Sequence, residues 1–137
     1  MKTNTEDFFE AYVEAALWST TNHDVEEERH LDADYCIHDL APETREKMYD
    51  WCREFLKRAR PLIEEAECNR GSGEYSKWAQ AGHDFWLTQS HHGCGFWDGD
   101  WEPRDLGERL TTIAQEFPEE GSHFVFTDFG DGKLHIT

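Results

Sequence analysis

The chain has 137 residues, thirty Asp and Glu against thirteen Lys and Arg, and a formal net charge of −17. That length fits one domain, residues 1–137, which can bury enough surface to fold without a disulfide or a metal. So negative a field disfavours direct binding to nucleic acid or to anionic membranes, and no run of about 18 apolar residues is present to span a bilayer.

The apolar content is low, but aromatics are dense: six Trp, nine Phe and four Tyr. Rings bury much area per residue, so they can build a core that the aliphatic residues alone could not. The first ten residues are polar and acidic, unlike a signal peptide, which makes the cytoplasm the expected location. Cys36, Cys52, Cys68 and Cys94 form no C-x-x-C pair and read as thiols, most simply as small buried hydrophobes. The acid excess admits three readings: solubility, adaptation to high salt (only five Lys occur), or a surface that imitates nucleic-acid phosphates and attracts a basic partner.

A first helix is expected over residues 6–18, with Thr5 as N-cap and Glu6 and Asp7 at the positive end of the helix dipole. Phe9, Val13, Ala16 and Leu17 share one face, widened by Phe8 and Tyr12. Residues 19–41 read as irregular, with Tyr35, Ile37 and Leu40 available to pin them. Pro42 suits the first position of a second helix, in which Met48, Trp51, Cys52, Phe55, Leu56 and Ala59 keep the helical period. Pro61 is expected to kink or end it, and residues 69–73 (NRGSG) break the chain. A third helix is expected over residues 75–88, weakened by Gly82. Asp105 and Glu108 have capping-box spacing at the start of a fourth, with Leu106, Leu110, Ile113, Ala114 and Phe117 inward and Pro118 as its stop. The tail reads as a β-hairpin: residues 123–127, a two-residue Asp131-Gly132 turn, and residues 133–136. Two strands alone are marginal, so they are expected either to pack on the helices or to add a third strand, for which residues 94–98 are the candidate. The fold class is therefore α+β, mainly helical with about four helices and a small antiparallel sheet that includes the C-terminal hairpin.

Residues 82–101, GHDFWLTQSHHGCGFWDGDW, are the least generic stretch. Three chemistries fit its composition. His83 or His92 can move a proton while Asp84 or Asp98 orients an imidazole, although no recognised nucleophile motif accompanies them. His91, His92 and Cys94, completed by Cys36 or His38, offer donor atoms to a transition metal, but adjacent histidines seldom reach one ion. Phe96, Trp97, Asp98, Gly99, Asp100 and Trp101 can form a recognition loop, since Trp is enriched at binding hot spots. Against each stands the plainer reading that His83 bonds a helix end and the rings fill the core.

The segment GHDFWLTQSHHGCGFWDGD, preceded by LAPETREKMYDWCREFL, resembles a group of small proteins encoded by tailed bacteriophages and prophages. That group shows G-H-D-F-W-L-T-x-x-x-H-G-x-G-F-W-D, then a short helix and a D-D-G-type hairpin. The matching positions are Gly82 to Thr88, His92, Gly93, Gly95, Phe96, Trp97 and Asp98, with Asp131 and Gly132 in the tail; the likeness covers roughly residues 39–137. Gln89-Ser90-His91 stands where the group often has Arg-Asn-Gly, and Cys94 where it usually has Ala. These departures argue against a shared catalytic cysteine or a metal site that needs His91 or Cys94. The resemblance implies an origin and a fold, not an activity.

The leading expectation is a non-enzymatic phage-type accessory protein that binds a host protein with a basic surface, as a counter-defence inhibitor or DNA mimic aimed at nucleic-acid-handling machinery. Its contacts would be Asp98, Asp100, Trp101 and Glu102, with Glu26, Glu27 and Glu28 as an acidic patch; no metal, cofactor, membrane or direct nucleic-acid contact is expected. The alternative is a small hydrolase or nuclease in which His83, Asp84 and His92 converge. A structural role in a high-salt setting is the third.

Overall fold

The computed structural model describes residues 3–22, 27–68, 76–90, 95–97, 101–119 and 123–137. Among these the chain is α+β and mainly helical, with four α-helices, two 3₁₀ turns and three two-stranded antiparallel sheets. Helix α1 is Asn4–Ser19. Its cap is Thr3 rather than Thr5: the Thr3 hydroxyl accepts the Glu6 backbone N–H at 3.1 Å, satisfying one of the unpaired donors of the first turn. Phe8, Phe9, Tyr12, Val13, Ala16 and Leu17 are buried, as their spacing predicts.

The segment expected to be irregular is partly ordered. Strand β1, Thr21–Asn22, pairs with β2, Arg29–His30, and 3₁₀ turns follow at Leu31–Ala33 and Ile37–Asp39. Leu31 and Leu40 are buried, and Tyr35 and Ile37 pack on the core edge. Helix α2, Pro42–Glu65, runs through Pro61 instead of stopping there. Pro61 is exposed, whereas Leu62 and Ile63 beyond it are buried. Burying two such side chains contributes about 2 kcal/mol each, enough to offset the roughly 3 kcal/mol a helical proline costs.

Strand β3, Glu67–Cys68, precedes helix α3, Lys77–Gln89. The Ser76 hydroxyl caps α3 by accepting the Ala79 N–H. Strand β4, Trp101–Glu102, pairs with β3, and helix α4 is Arg104–Ala114. Pro103 holds the cap position of α4, so Asp105 lies in the first turn and the expected Asp105–Glu108 box does not form.

Strands β5, Phe126–Thr127, and β6, His135–Ile136, make the C-terminal hairpin. Its register sets Thr127 opposite His135, so the connection is longer than the expected two-residue turn. Two carboxylates organise it locally: Asp128 accepts the N–H groups of Gly130 and Gly132, and Asp131 accepts that of Lys133. Asp side chains are well suited to such local bonds. The expected third strand is replaced, among the described residues, by a parallel bridge from Leu134 to Leu40. The Leu134 N–H donates to the Asp39 carbonyl and the Ala41 N–H to the Leu134 carbonyl. Residues 94 and 98, at the ends of that expected strand, lie outside the described residues, as do residues 69–73.

Rings form the centre of the core. Phe55 of α2 stacks on Phe85 of α3 at 4.2 Å and on Phe8 and Phe96 at 5.8 and 5.7 Å. Phe85 in turn stacks on Tyr12 at 5.1 Å, and Phe96 meets Trp101 edge-on. Three helices and the 95–97 turn are thus joined through one aromatic stack, at separations where ring pairs add to plain burial.

Candidate functional site

Most of the described residues of the 82–101 segment serve packing and hydrogen bonding within the fold. A Cβ built on Gly82 would stand 2.0 Å from the Phe8 carbonyl oxygen, so only glycine lets α3 lie this close to α1. Trp86 donates its indole N–H to the Ser19 hydroxyl, Thr88 accepts the Phe96 N–H, and Gln89 bridges the Tyr12 hydroxyl and the Pro118 carbonyl. Burial pushes the Tyr12 hydroxyl well above its ordinary pKa, which keeps it a neutral donor to Gln89. Asp84 has no solvent exposure; it accepts the Trp101 indole N–H at 2.7 Å and the Gln80 amide at 3.1 Å.

This placement corrects the recognition-loop expectation for Phe96 and Trp101. Trp101 and Phe96 are buried, because the indole of Trp101 is drawn inward to the Asp84 carboxylate and Phe96 joins the ring stack. Of that loop, Trp97 and Glu102 reach the surface. Glu27 and Glu28 are also exposed. Glu26, His91, His92, Cys94, Asp98, Gly99 and Asp100 lie outside the described residues. Among the described residues no three His, Cys, Asp or Glu side chains converge as metal ligands would. Cys52 is a buried thiol, with its pKa raised by that burial, whereas Cys36 is exposed and Cys68 half-buried.

His83 is partly exposed, with 23% of its side chain open to solvent. Its Nδ1 stands 3.5 Å from Asp84 Oδ1, long for a hydrogen bond. Its ring lies 6.1 Å from that of Trp18, which His30 approaches edge-on from another side. Trp18 and His83 border a groove of about 590 Å³ lined also by Glu14, Ala15, Leu17, Asp32, Tyr35, Cys36 and Ile37. Helix α1 supplies one wall and the 3₁₀ segments the other. Trp18 is half exposed and follows directly after the last residue of the α1 apolar stripe, Leu17. Tyr35 ties the groove edge to the hairpin by donating its hydroxyl to Asp128 at 2.8 Å, and the next residue, Phe129, is 68% exposed. That bond, with the Gly130 N–H, holds the Asp128 carboxyl below its usual range.

Sequence reasoning did not single out Trp18, Glu14 or Asp32. The available signal was Trp18 itself, a large ring at the end of the helix that the inward positions leave out.

Charge is unevenly distributed around this groove. Between Lys2 and Arg45 the chain carries twelve Asp and Glu and a single base, Arg29. Arg29 is tied to Asp34 by two bonds of 2.7 and 2.8 Å, which lower the Asp34 pKa. In α2 from Arg45 onward, Arg45 included, five acids face six bases, and several of the bases lie over rings: Arg45 on Phe9, Lys47 on Trp51, Arg60 on Trp78. The groove lining has two carboxylates, exposed aromatic surface, one imidazole (His83) and no Lys or Arg. Like charges also face each other in β3–β4, where Glu67 stands opposite Glu102, an arrangement that costs stability in itself. Comparison of the chain with protein-family models, with curated proteins and with solved structures yields no match, so the reading of this site rests on its residues and their geometry.

Proposed function

We propose that the chain is a phage-type accessory protein that binds a host protein with a basic surface and performs no chemistry of its own. A counter-defence inhibitor, or a mimic of DNA charge that occupies a nucleic-acid-handling target, is the form this reading takes. The observation that carries it is the concentration of carboxylates on one third of the chain, beside half-exposed Trp18 and exposed Phe129. An excess of carboxylates over bases steers a basic partner in, and exposed rings supply anchoring area. The resemblance of residues 82–98 to the phage group supports the origin. The use of Asp84 as a buried acceptor for Trp101 and Gln80 favours architecture over acid/base work.

The test is affinity capture from bacterial lysate, with the retained protein identified and its complex reassembled from purified parts. The expected partner is basic and handles nucleic acid, and its affinity falls at least about tenfold between 0.1 and 0.5 M salt. Affinity indifferent to salt, or a turnover by the chain that disappears in His83→Ala, would sink the proposal.

A further inference from the structure

We infer that the groove between α1 and the 3₁₀ segments seats an arginine side chain of the basic partner, its guanidinium on the Trp18 ring and between the Glu14 and Asp32 carboxylates. This rests on the reading of the chain as a binder of basic proteins and names the contact that gives it specificity.

The charge of the lining selects the guest. Both ionisable carboxyl groups of the groove are exposed at its walls, and neither has a hydrogen-bonding side-chain partner among the described residues. The surrounding sequence adds ten further acids and one base already bound to Asp34. A cation entering there is attracted; an anion is repelled.

The shape and the ring favour arginine over lysine. Trp18 is 50% exposed, yet its ring is bracketed by the His83 ring at 6.1 Å and the His30 ring at 6.5 Å, so one aromatic surface is presented in a set orientation. A planar guanidinium stacks on such a surface while keeping its N–H donors for carboxylates, which a compact ammonium does less well. Ala15, Leu17 and Ile37 offer apolar wall to the methylene stem. The fold already uses this contact internally, with Arg60 over Trp78 and Arg45 over Phe9, each at 5.1 Å. Among the described residues no Lys or Arg covers Trp18.

The experiment uses the whole chain labelled with ¹⁵N and the peptide acetyl-Gly-Arg-Gly-Arg-Gly-amide, with versions carrying lysine or citrulline in place of arginine. The Trp18 indole N–H signal, assigned with Trp18→Phe, is followed on titration. The arginine peptide is expected to shift it saturably with a Kd near 1 mM or below, on the order of 4 kcal/mol of binding. Lysine should bind at least about threefold more weakly and citrulline, equal in shape but uncharged, at least about tenfold. Glu14→Gln with Asp32→Asn, and separately Trp18→Leu, should each weaken the arginine peptide about tenfold without moving the melting temperature, because all three side chains are exposed. Citrulline matching arginine, an unchanged affinity in the Glu14/Asp32 double variant, or no saturable Trp18 shift up to about 10 mM peptide would overturn the seat. Shifts confined to Glu27, Glu28 and Glu102 would overturn the seat and leave the basic-partner reading standing. No response anywhere to either cationic peptide would remove both.

Discussion

Asp84 sits with no exposure between the Trp101 indole N–H and the Gln80 amide, 2.7 and 3.1 Å away. Removing its carboxylate leaves two buried donors without acceptors, so Asp84→Ala should lower stability by about 3 kcal/mol. Asp84→Asn keeps one acceptor oxygen but places an amide donor against those donors, and a smaller loss of about 1–2 kcal/mol is expected. Denaturant unfolding measures both; an alanine variant within about 0.5 kcal/mol of the parent would show that the carboxylate is not a structural acceptor. At this scale the sequence marked Asp84 as a partner for an imidazole, which its neighbour His83 suggested. That its main donor is an indole seventeen positions later is a fact of tertiary placement. Trp18 was legible only as a ring beyond the inward stripe of α1, because exposure depends on what packs alongside.

Helices α1 and α3 meet at Gly82, where any side chain would collide with the Phe8 carbonyl. Gly82→Ala should destabilise by about 3 kcal/mol even though alanine is the better helix former, since the clash is with backbone that cannot rotate away. A variant as stable as the parent in thermal unfolding would contradict that contact. The hairpin makes a different kind of connection. His135 lies between Asp131 (Nε2 to Oδ2, 2.8 Å) and Glu43 at the start of α2 (Nδ1 to Oε1, 2.5 Å). The Asp131 carboxylate first, then Glu43, raises the His135 pKa. The imidazole holds Asp131 low in return, and Glu43 is held low by its own backbone N–H and then by His135. The raised histidine contributes stability fully below its ordinary value of about 6.5 and loses it as pH rises through the folded value. The two lowered carboxyl groups contribute above their ordinary range near 4 and lose it as pH falls through their folded values. Hairpin docking should therefore be strongest between about pH 5 and 6.5. Melting temperature should fall from there toward pH 8 more steeply in the parent than in His135→Gln; parallel curves would exclude the bridge. The helices and the existence of the hairpin were readable from periodicity and turn residues. The capping of α1 by Thr3, the passage of α2 through Pro61 and the long hairpin loop were not, because each depends on burial or bonding beyond the local window.

Over the whole molecule, the net charge of −17 is a sum, and its distribution matters more than its size. Acids dominate the chain up to Arg45, while α2 is nearly balanced and places bases over rings. The stretch that supplies most of the groove lining is therefore the most acidic part of the chain. Screening decides how far that region acts: the Debye length falls from about 10 Å at 0.1 M salt to about 3 Å at 1 M. Long-range attraction of a basic partner should thus fade with salt before close contacts at Trp18 do, which is why the capture affinity is expected to fall steeply while the arginine-to-citrulline preference persists. Among the described residues no helix is long and apolar enough to cross a membrane.

By itself the amino-acid sequence determined the sign of the field and the aromatic nature of the core through composition, and the α+β class through periodicity and turn residues, because charge and ring count are sums and periodicity is local. Which rings face water was decided only by tertiary structure. Trp101 is turned inward, where a buried carboxylate seventeen residues away accepts its N–H, whereas Trp18 stays half exposed beside the His83 and His30 rings. Such choices depend on contacts between segments distant in the chain, and no local pattern encodes them.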